Sequence, residues 1–199
     1  SDAEPDHCLP DLSKKYNIPN LTVLSKYTYK IYTSVQQVTE NVIDAEHTHY
    51  VHAHFIRGVL STKFIITGDG TEDSPLVILI ELYLFSRKAT TMHLEQRACT
   101  PAYAECHIKY IGIPKVTPAM FILSGISLSS ERTLVYTRFL GTPTLWNQIV
   151  LWLFHRMLTT QVRDDGLIWS NLNSPSQPIF TKNDTVIART RRMLTKFYD

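Results

Sequence analysis

The sequence predicts an α+β fold in which a curved antiparallel sheet wraps around a long C-terminal helix. The first observation is a succession of short segments rich in Ile, Val, Tyr, Phe and Thr, separated by turn signals such as Gly68-Asp69-Gly70 and Pro114. The second is a change to helical periodicity at Leu145, after the last of these segments. Strands that succeed one another without intervening helices pair antiparallel, which excludes a parallel βαβ sheet.

The elements follow from the chain in order. Residues 1–26 are rich in Pro, Asp and Lys and are predicted to form an N-terminal arm, with the domain proper over residues 27–199. The segment YTYKIYTSV, which begins at Tyr27, alternates as a strand does. Further strands are predicted at TKFIIT (62–67), PLVILIELYLF (75–85), TTMHLEQRA (90–98), AECHIKYIGI (104–113), AMFILSGISL (119–128) and RTLVYTRFL (132–140).

Two helices are predicted after the strands. The stronger one covers residues 145–163, with Thr144 as its N-cap, and the last one covers residues 185–198 with Asp184 as its cap. The first part of the stronger helix is apolar nearly all round, which is typical of a buried core helix and, less often, of one that touches a membrane. A sheet wrapped around a helix leaves a hollow, and we expect an apolar ligand there. Its predicted walls are residues 76–85, 119–128 and 146–154.

The composition indicates one globular domain with a weak electrostatic field. The chain has 199 residues, 44% of them hydrophobic, and a formal net charge of +2. Basic residues are scattered except for Arg189, Arg191, Arg192 and Lys196, so we expect no nucleic-acid partner. Cys8, Cys99 and Cys106 lack metal-ligand spacing and are expected to be free thiols in a reducing compartment, either the cytoplasm or the cytosolic face of a membrane.

Half of the eight histidines lie within the fourteen residues NVIDAEHTHYVHAH, as His47, His49, His52 and His54. None is spaced i,i+4, which excludes the HExxH arrangement. On an ideal helix His47 and His52 point about 140° apart, so they would share a metal only across a π-bulge or a break. On a strand, residues two apart share a face and the histidines would form HxH pairs. Both arrangements remain open from spacing, as do ordinary partly exposed histidines.

The longer segment ENVIDAEHTHYVHA resembles the iron-binding segment in the catalytic domain of Rieske non-haem iron oxygenases, whose pattern is (E/D)NxxDxxHxxxxH. Every specified position matches: Glu40, Asn41, Asp44, His47 and His52. The resemblance implies that His47 and His52 are the two imidazole ligands of a mononuclear Fe(II). It also implies a helix-grip fold, similar to START and Bet v 1-like domains.

The family takes its third ligand, a carboxylate, from the end of the long C-terminal helix. The segment QVRDDGLIWSN is similar to the DxxIW pattern of the subgroup that contains ketosteroid hydroxylases and cholesterol desaturases. Asp165, four residues before Trp169, fits that register, and Asp164 ranks second. The tail from residue 178 also resembles this subgroup, although Leu172 and Met193 stand where the subgroup has Lys and Trp.

The resemblance implies an enzyme that activates O₂ at a mononuclear iron. It would hydroxylate, desaturate or demethylate an apolar substrate, and a sterol-like, a fatty and an aromatic molecule all fit the predicted walls. Asn41 and Asp44 are implied as catalytic residues. Asn41 either reaches toward the iron or structures the turn, and both roles remain open. Asp44 accepts a hydrogen bond from a ligand histidine and connects it to the cluster domain of a neighbouring subunit. A homo-oligomer, a trimer in the family, follows from that arrangement.

A Rieske cluster requires CxH and CxxH ligand pairs, and the chain has neither. Cys8 is followed by Leu and Pro, Cys99 by Thr and Pro, and Cys106 directly by His107. We therefore expect a Rieske ferredoxin-like domain or subunit outside this chain to supply the [2Fe–2S] cluster. A reductase would deliver the electrons of NAD(P)H. Contact with a membrane is a further open possibility.

Two alternatives explain parts of the sequence. A metal-free helix-grip carrier of a lipid or sterol explains the sheet, the helix and the apolar walls. A zinc-dependent hydrolase with an HxH pair explains the histidines, because two imidazoles and a carboxylate also suit zinc. His93, His107 and His155 are predicted to be structural in every case.

Overall fold

A computed structural model describes residues 11–44, 47, 60–68, 76–112, 115–169, 171, 187–188 and 191–192. Within these residues, a seven-stranded antiparallel sheet wraps around one long helix. The predicted α+β class, a curved antiparallel sheet with a long C-terminal helix, is confirmed.

The sheet is a meander of six strands, and the first strand of the chain pairs beside the last one. Strands two to seven follow the chain in spatial order, and the first strand pairs with the seventh. The elements are α1 (Leu12–Lys15), β1 (Thr22–Ile31), α2 (Val35–Ile43), β2 (Leu60–Thr67), β3 (Leu76–Leu84), β4 (Arg87–Thr100), β5 (Tyr103–Ile111), β6 (Ala119–Ser129), β7 (Arg132–Gly141) and α3 (Leu145–Trp169).

Every strand predicted from sequence is present, and β1 differs from its prediction at both ends. The predicted segment runs to Val35, but the strand ends at Ile31 and Val35 is the first residue of α2. β1 begins at Thr22 and not at Tyr27, because β7 extends as far as Gly141 and pairs there with Thr22. Of the predicted last helix, the described residues 187–188 and 191–192 are helical, while the predicted cap Asp184 lies outside the described residues.

The sheet curves because its strands contain irregularities. Register shifts interrupt β1 at Val23/Ser25 and β4 at His93/Leu94, and such bulges bend a strand and increase its twist. The helices α2 and α3 lie against the sheet so formed. At Gly125 of β6 a Cβ atom would lie 2.5 Å from the Val35 side chain, so the absence of a side chain allows α2 to begin this close to the sheet.

The start of α3 is held by side-chain hydrogen bonds. Thr144 is the predicted N-cap, and its hydroxyl accepts the backbone N–H of Asn147 at 3.2 Å. The fully buried Asn147 amide donates to the Thr142 carbonyl at 2.9 Å and accepts the Thr117 backbone N–H at 3.0 Å. These contacts fix where the helix leaves β7 and therefore how it crosses the sheet.

Only one face of α3 is covered. Val150, Leu151 and His155 are buried, whereas Leu145 is 68% exposed and Trp152 is 50% exposed. The expectation of a helix buried on all sides is therefore wrong for the outer face, since the sheet covers the helix from one side. In the part of the chain that the structure describes, no helix combines the length and apolarity needed to cross a bilayer.

His155 is a core histidine, as predicted. It is fully buried, with Nε2 lying 2.8 Å from the Thr137 hydroxyl and Nδ1 hydrogen-bonded to the Ser25 hydroxyl. The rings of Tyr27 and Phe139 meet it edge-on, with centroids at 4.3 and 4.9 Å. Burial lowers the pKa of His155 to about 4, so the imidazole is neutral in the folded protein at pH 7.

This depressed pKa predicts a loss of stability in mild acid. The unfolded chain takes up the His155 proton near pH 6.5, and the folded chain does so only near pH 4, so acidification between these values favours unfolding. We expect the free energy of unfolding to fall by about 2 kcal/mol from pH 7 to pH 5 on this account. Urea unfolding at both pH values measures the change.

The matched variant is His155→Asn, whose amide can still bond the two hydroxyls but does not titrate. Whatever its stability at pH 7, the variant should lose about 2 kcal/mol less on acidification than the wild type. Equal losses in the two proteins would show that His155 does not carry the effect.

Candidate metal centre and cavity

The last turns of α3 place one carboxylate inside the fold. The α3 residues at positions 154, 157, 158, 161, 162, 165 and 169 line an internal cavity, with the spacing of a single helix face. Asp165 lies on this face and is 3% exposed. Asp164, rotated by about 100° around the helix, is exposed to solvent.

Two residues from the predicted motif meet Asp165. The Asn41 amide nitrogen donates to Asp165 Oδ2 at 2.9 Å, and His47 Nε2 lies 2.9 Å from Asp165 Oδ1. Both carboxylate oxygens are therefore engaged by side chains more than a hundred positions earlier in the chain. The structure thus brings together Asn41, His47 and Asp165 of the predicted site.

The end of α2 directs His47 toward this carboxylate. The helix begins with a capping box formed by Ser34 and Gln37 and ends at Asp44. The Asp44 carboxylate accepts the backbone N–H of His47 at 2.9 Å, which is N-cap geometry, and His47 is itself helical. Asp44 thus stabilises the turn that carries the His47 imidazole. The hydrogen bond predicted from a ligand imidazole to Asp44 stays a prediction.

The remaining histidines of the motif, His49, His52 and His54, lie outside the described residues. The helical backbone of His47 favours the helical arrangement over the strand-like HxH arrangement at this position. Among the described residues, no group of three or more His, Cys, Asp or Glu side chains converges. The described part of the site therefore contributes two of the three predicted ligands.

The protonation of His47 reflects its surroundings. Burial lowers its pKa, but the hydrogen bond and charge of Asp165, together with the charge of Asp44, raise it by more. The net pKa lies above the ordinary value for histidine. A proton and a metal ion would therefore compete for Nε2, because a metal ligand must be deprotonated.

The separation of the two donor atoms fits a shared metal ion. Ligands bonded at about 2.1 Å and at right angles have donor atoms about 3 Å apart. The 2.9 Å between His47 Nε2 and Asp165 Oδ1 matches that value. One imidazole and one carboxylate are also two members of the 2-His-1-carboxylate set used by non-haem iron enzymes.

Glu40, the first residue of the motif, joins α2 to the C-terminal segment. Its carboxylate is 6% exposed and receives two hydrogen bonds from the Arg191 guanidinium, at 2.6 and 2.7 Å. A third comes from Gln36 at 2.7 Å. The motif match did not indicate this role, and the cluster of arginines near residue 190 was the one available signal.

The cavity beside this site is enclosed mainly by apolar side chains and has a volume of about 180 Å³. The predicted walls from residues 76–85 and 119–128 are present, as Ile78, Leu82 and Phe121. The third prediction, residues 146–154, is wrong except for Phe154. In the first two turns of α3, Leu145, Trp146 and Ile149 are exposed, whereas Val150 and Leu151 are buried in the core without lining the cavity. The helix wall comes from residues 154–169.

Two polar residues that line the cavity, Gln96 and Gln161, were not predicted from the sequence. Gln96 stands in the inward row of β4 after Met92 and Leu94, and all three line the cavity. An alternating apolar row that ends in an amide was the signal that could have found it.

The fold and the site together define a helix-grip domain whose apolar cavity is bounded by an imidazole–carboxylate pair. The sequence comparison adds a particular relative, cholesterol 7-desaturase nvd 1 of Ciona intestinalis. It is 27% identical over 219 aligned positions, which cover 92% of this chain and 44% of the relative. The chain thus spans less than half the length of this curated relative. No family model matches the sequence.

Solved structures share the fold at low sequence identity. The quaternary ammonium Rieske monooxygenase CntA is 12% identical, with a TM-score of 0.57 over 90% of this chain and 50% of its own. The Zhui aromatase/cyclase from Streptomyces sp. R1128 is 10% identical, with a TM-score of 0.54 over 80% of this chain and 100% of its own. The predicted helix-grip class and the predicted resemblance to catalytic domains of Rieske-type oxygenases, which are oxidoreductases, are confirmed.

The Glu40–Arg191 pair predicts a selective effect of two neighbouring substitutions. Arg191→Met leaves the buried Glu40 carboxylate without its bidentate partner, and we expect a loss of about 2 kcal/mol in the free energy of unfolding. Arg192→Met changes an exposed arginine and should cost less than about 1 kcal/mol, because polar contacts of an exposed charge contribute little. Urea unfolding of both variants measures the difference, and equal losses would contradict a structural role for this pair.

Proposed function

We propose that this chain is the catalytic module of a Rieske-type oxygenase that holds a mononuclear Fe(II) with His47, His52 and Asp165. The observation that supports this most is the pairing of Asp165 with His47 and Asn41 at the wall of an apolar cavity. Asp165 and His47 lie 118 positions apart in the chain. Each belongs to the motif from which it was predicted.

The residues of this site have separate tasks in the proposal. Asp165 presents a buried carboxylate whose Oδ2 is already held by Asn41, which leaves Oδ1 directed at His47 Nε2. Asn41 thereby orients the carboxylate, and Asp44 orients the imidazole through the backbone N–H of His47. A site fixed in this way needs little rearrangement when an ion enters.

When bound, the iron would supply the O₂-dependent oxidation of an unactivated carbon. The protein would supply the enclosure. Apolar side chains from both the sheet and α3 exclude water and hold an apolar substrate against the wall that carries His47 and Asp165. This arrangement serves hydroxylation, desaturation and oxidative demethylation equally.

The substrate in this proposal is an apolar molecule, and a sterol is the candidate that the name of the sequence relative supports. The enclosed volume of about 180 Å³ is below the roughly 300 Å³ at which cavities for drug-sized ligands begin. A sterol would therefore extend beyond the enclosed part or displace side chains.

The proposed electron supply lies outside this chain. A Rieske ferredoxin-like domain or subunit would carry the [2Fe–2S] cluster, with a reductase passing on electrons from NAD(P)H. We also propose a homo-oligomer, in which Asp44 links the iron ligands to the cluster of the neighbouring subunit. The exposed apolar face of α3 is a surface that a partner subunit or a membrane could cover.

A metal-free lipid or sterol carrier is the second candidate, and the apolar cavity favours it. The aromatase/cyclase with the same fold shows that a helix-grip domain is also found outside Rieske monooxygenases. The two functions differ in whether His47 and Asp165 hold a metal ion.

Metal analysis of protein purified without oxygen tests the proposal. We expect about one iron per chain in the wild type, and at least a ten-fold loss of iron in His47→Ala and in Asp165→Asn, because each removes a ligand. Asp164→Asn is the matched control on the exposed side of the same turn and should retain iron.

Circular dichroism of each variant would confirm that the fold is retained. Full retention of iron in Asp165→Asn would contradict the proposed ligand set. Absence of iron from the wild type would favour the carrier, and zinc in its place would favour the hydrolase.

A further inference from the structure

Gln96 brings an unsatisfied polar atom to the apolar cavity. On β4 it follows Met92 and Leu94 in the row of side chains that faces the cavity, and across the strand pair it lies opposite Cys106, which also lines the cavity. Its Oε1 atom is buried and has no hydrogen-bond partner. An unpaired buried acceptor is destabilising, and such groups are rare in folded proteins.

Among the described residues, two further buried polar atoms lack a partner, and neither faces the cavity. They are Thr90 Oγ1 and His107 Nε2. His107 alternates with the inward-facing Cys106 and packs on Tyr16, with ring centroids 4.6 Å apart. The unpaired oxygen of Gln96 is thus set apart by its place on the wall of a cavity.

The Cys106 thiol is the neighbour of Gln96 across the strand pair. Burial raises the pKa of the Cys106 thiol to about 12, and a hydrogen bond from Gln96 lowers it by less. At the cavity wall, the Gln96 Oε1 atom is therefore left open to a ligand.

We propose that Gln96 recognises a hydroxyl group on the apolar molecule that occupies the cavity. A neutral alcohol fits because it donates to Oε1 without bringing a charge into apolar surroundings. This inference rests on the proposed function and adds a substrate class to it, namely a hydrophobic alcohol.

The position of Gln96 on the sheet would orient the bound ligand. The other polar residues that line the cavity, Asn41, His47, Gln161 and Asp165, come from the helical side, whereas Gln96 belongs to the sheet. A ligand whose hydroxyl is held by the sheet presents its carbon skeleton to the imidazole and the carboxylate. Gln96 would therefore determine which carbon lies at the reacting end.

Matched ligand pairs test the role of Gln96. The probes are 2-naphthol with naphthalene, a pair whose two rings suit the small cavity, and cholesterol with cholest-5-ene, which lacks the hydroxyl. Equilibrium dialysis against the wild type should show that the alcohol of at least one pair binds about ten-fold or more tightly than its partner. Gln96→Met, which keeps length and volume, should abolish that preference and bind the deoxy compound at least as tightly as the wild type does.

Met92→Leu is the control, since it changes a neighbouring cavity residue but leaves the amide, and it should retain the preference. The inference is overturned if the wild type does not prefer either alcohol, if no probe binds, or if the preference survives in Gln96→Met. Iron content measured on the same samples separates the two claims. A preference for the alcohol without iron would refute the oxygenase and leave the role of Gln96 standing, and iron without the preference would refute the role of Gln96 alone.

Discussion

A carboxylate buried at the edge of an apolar cavity must be hydrogen-bonded or neutralised, because an isolated buried charge is very costly. Asp165 is in this position, and the chain meets the requirement with the amide of Asn41 and the imidazole of His47. These contacts join the end of α3 to α2 and the turn after it. The hydrogen bonds that stabilise the Asp165 carboxylate therefore also bring His47 and Asp165, two of the proposed metal ligands, together.

The rest of the fold supports this junction from both sides. The buried Asn147 fixes the start of α3 against the loop before β6, and the Glu40–Arg191 pair fixes α2 against the C-terminal segment. With both helices held, the bulged sheet cannot close completely on α3. The space that remains is the cavity, whose apolar side chains come from both the sheet and α3.

Much of the fold was predictable because local patterns dominate it. The strands from β2 to β7 are apolar or β-branched runs between turn signals, and Thr144 before an apolar run marks the start of α3. The start of β1 at Thr22 was not predictable, since it depends on how far β7 extends beside it. The exposed side of α3 was not predictable either, because its apolar residues do not show which of them the sheet will cover.

The candidate site also has features that the sequence indicated and features that depend on the tertiary structure. By itself, the sequence indicated the candidate ligands, because the residues around His47 and the register of Asp165 before Trp169 resemble the motifs of a known family. Only the tertiary structure decided that Asn41 and His47 meet Asp165 rather than the exposed Asp164, that Arg191 pairs with Glu40, and that Gln96 faces the cavity. These contacts join residues far apart in the chain, and a one-dimensional pattern contains no information about which distant side chains the folded layers bring within bonding distance.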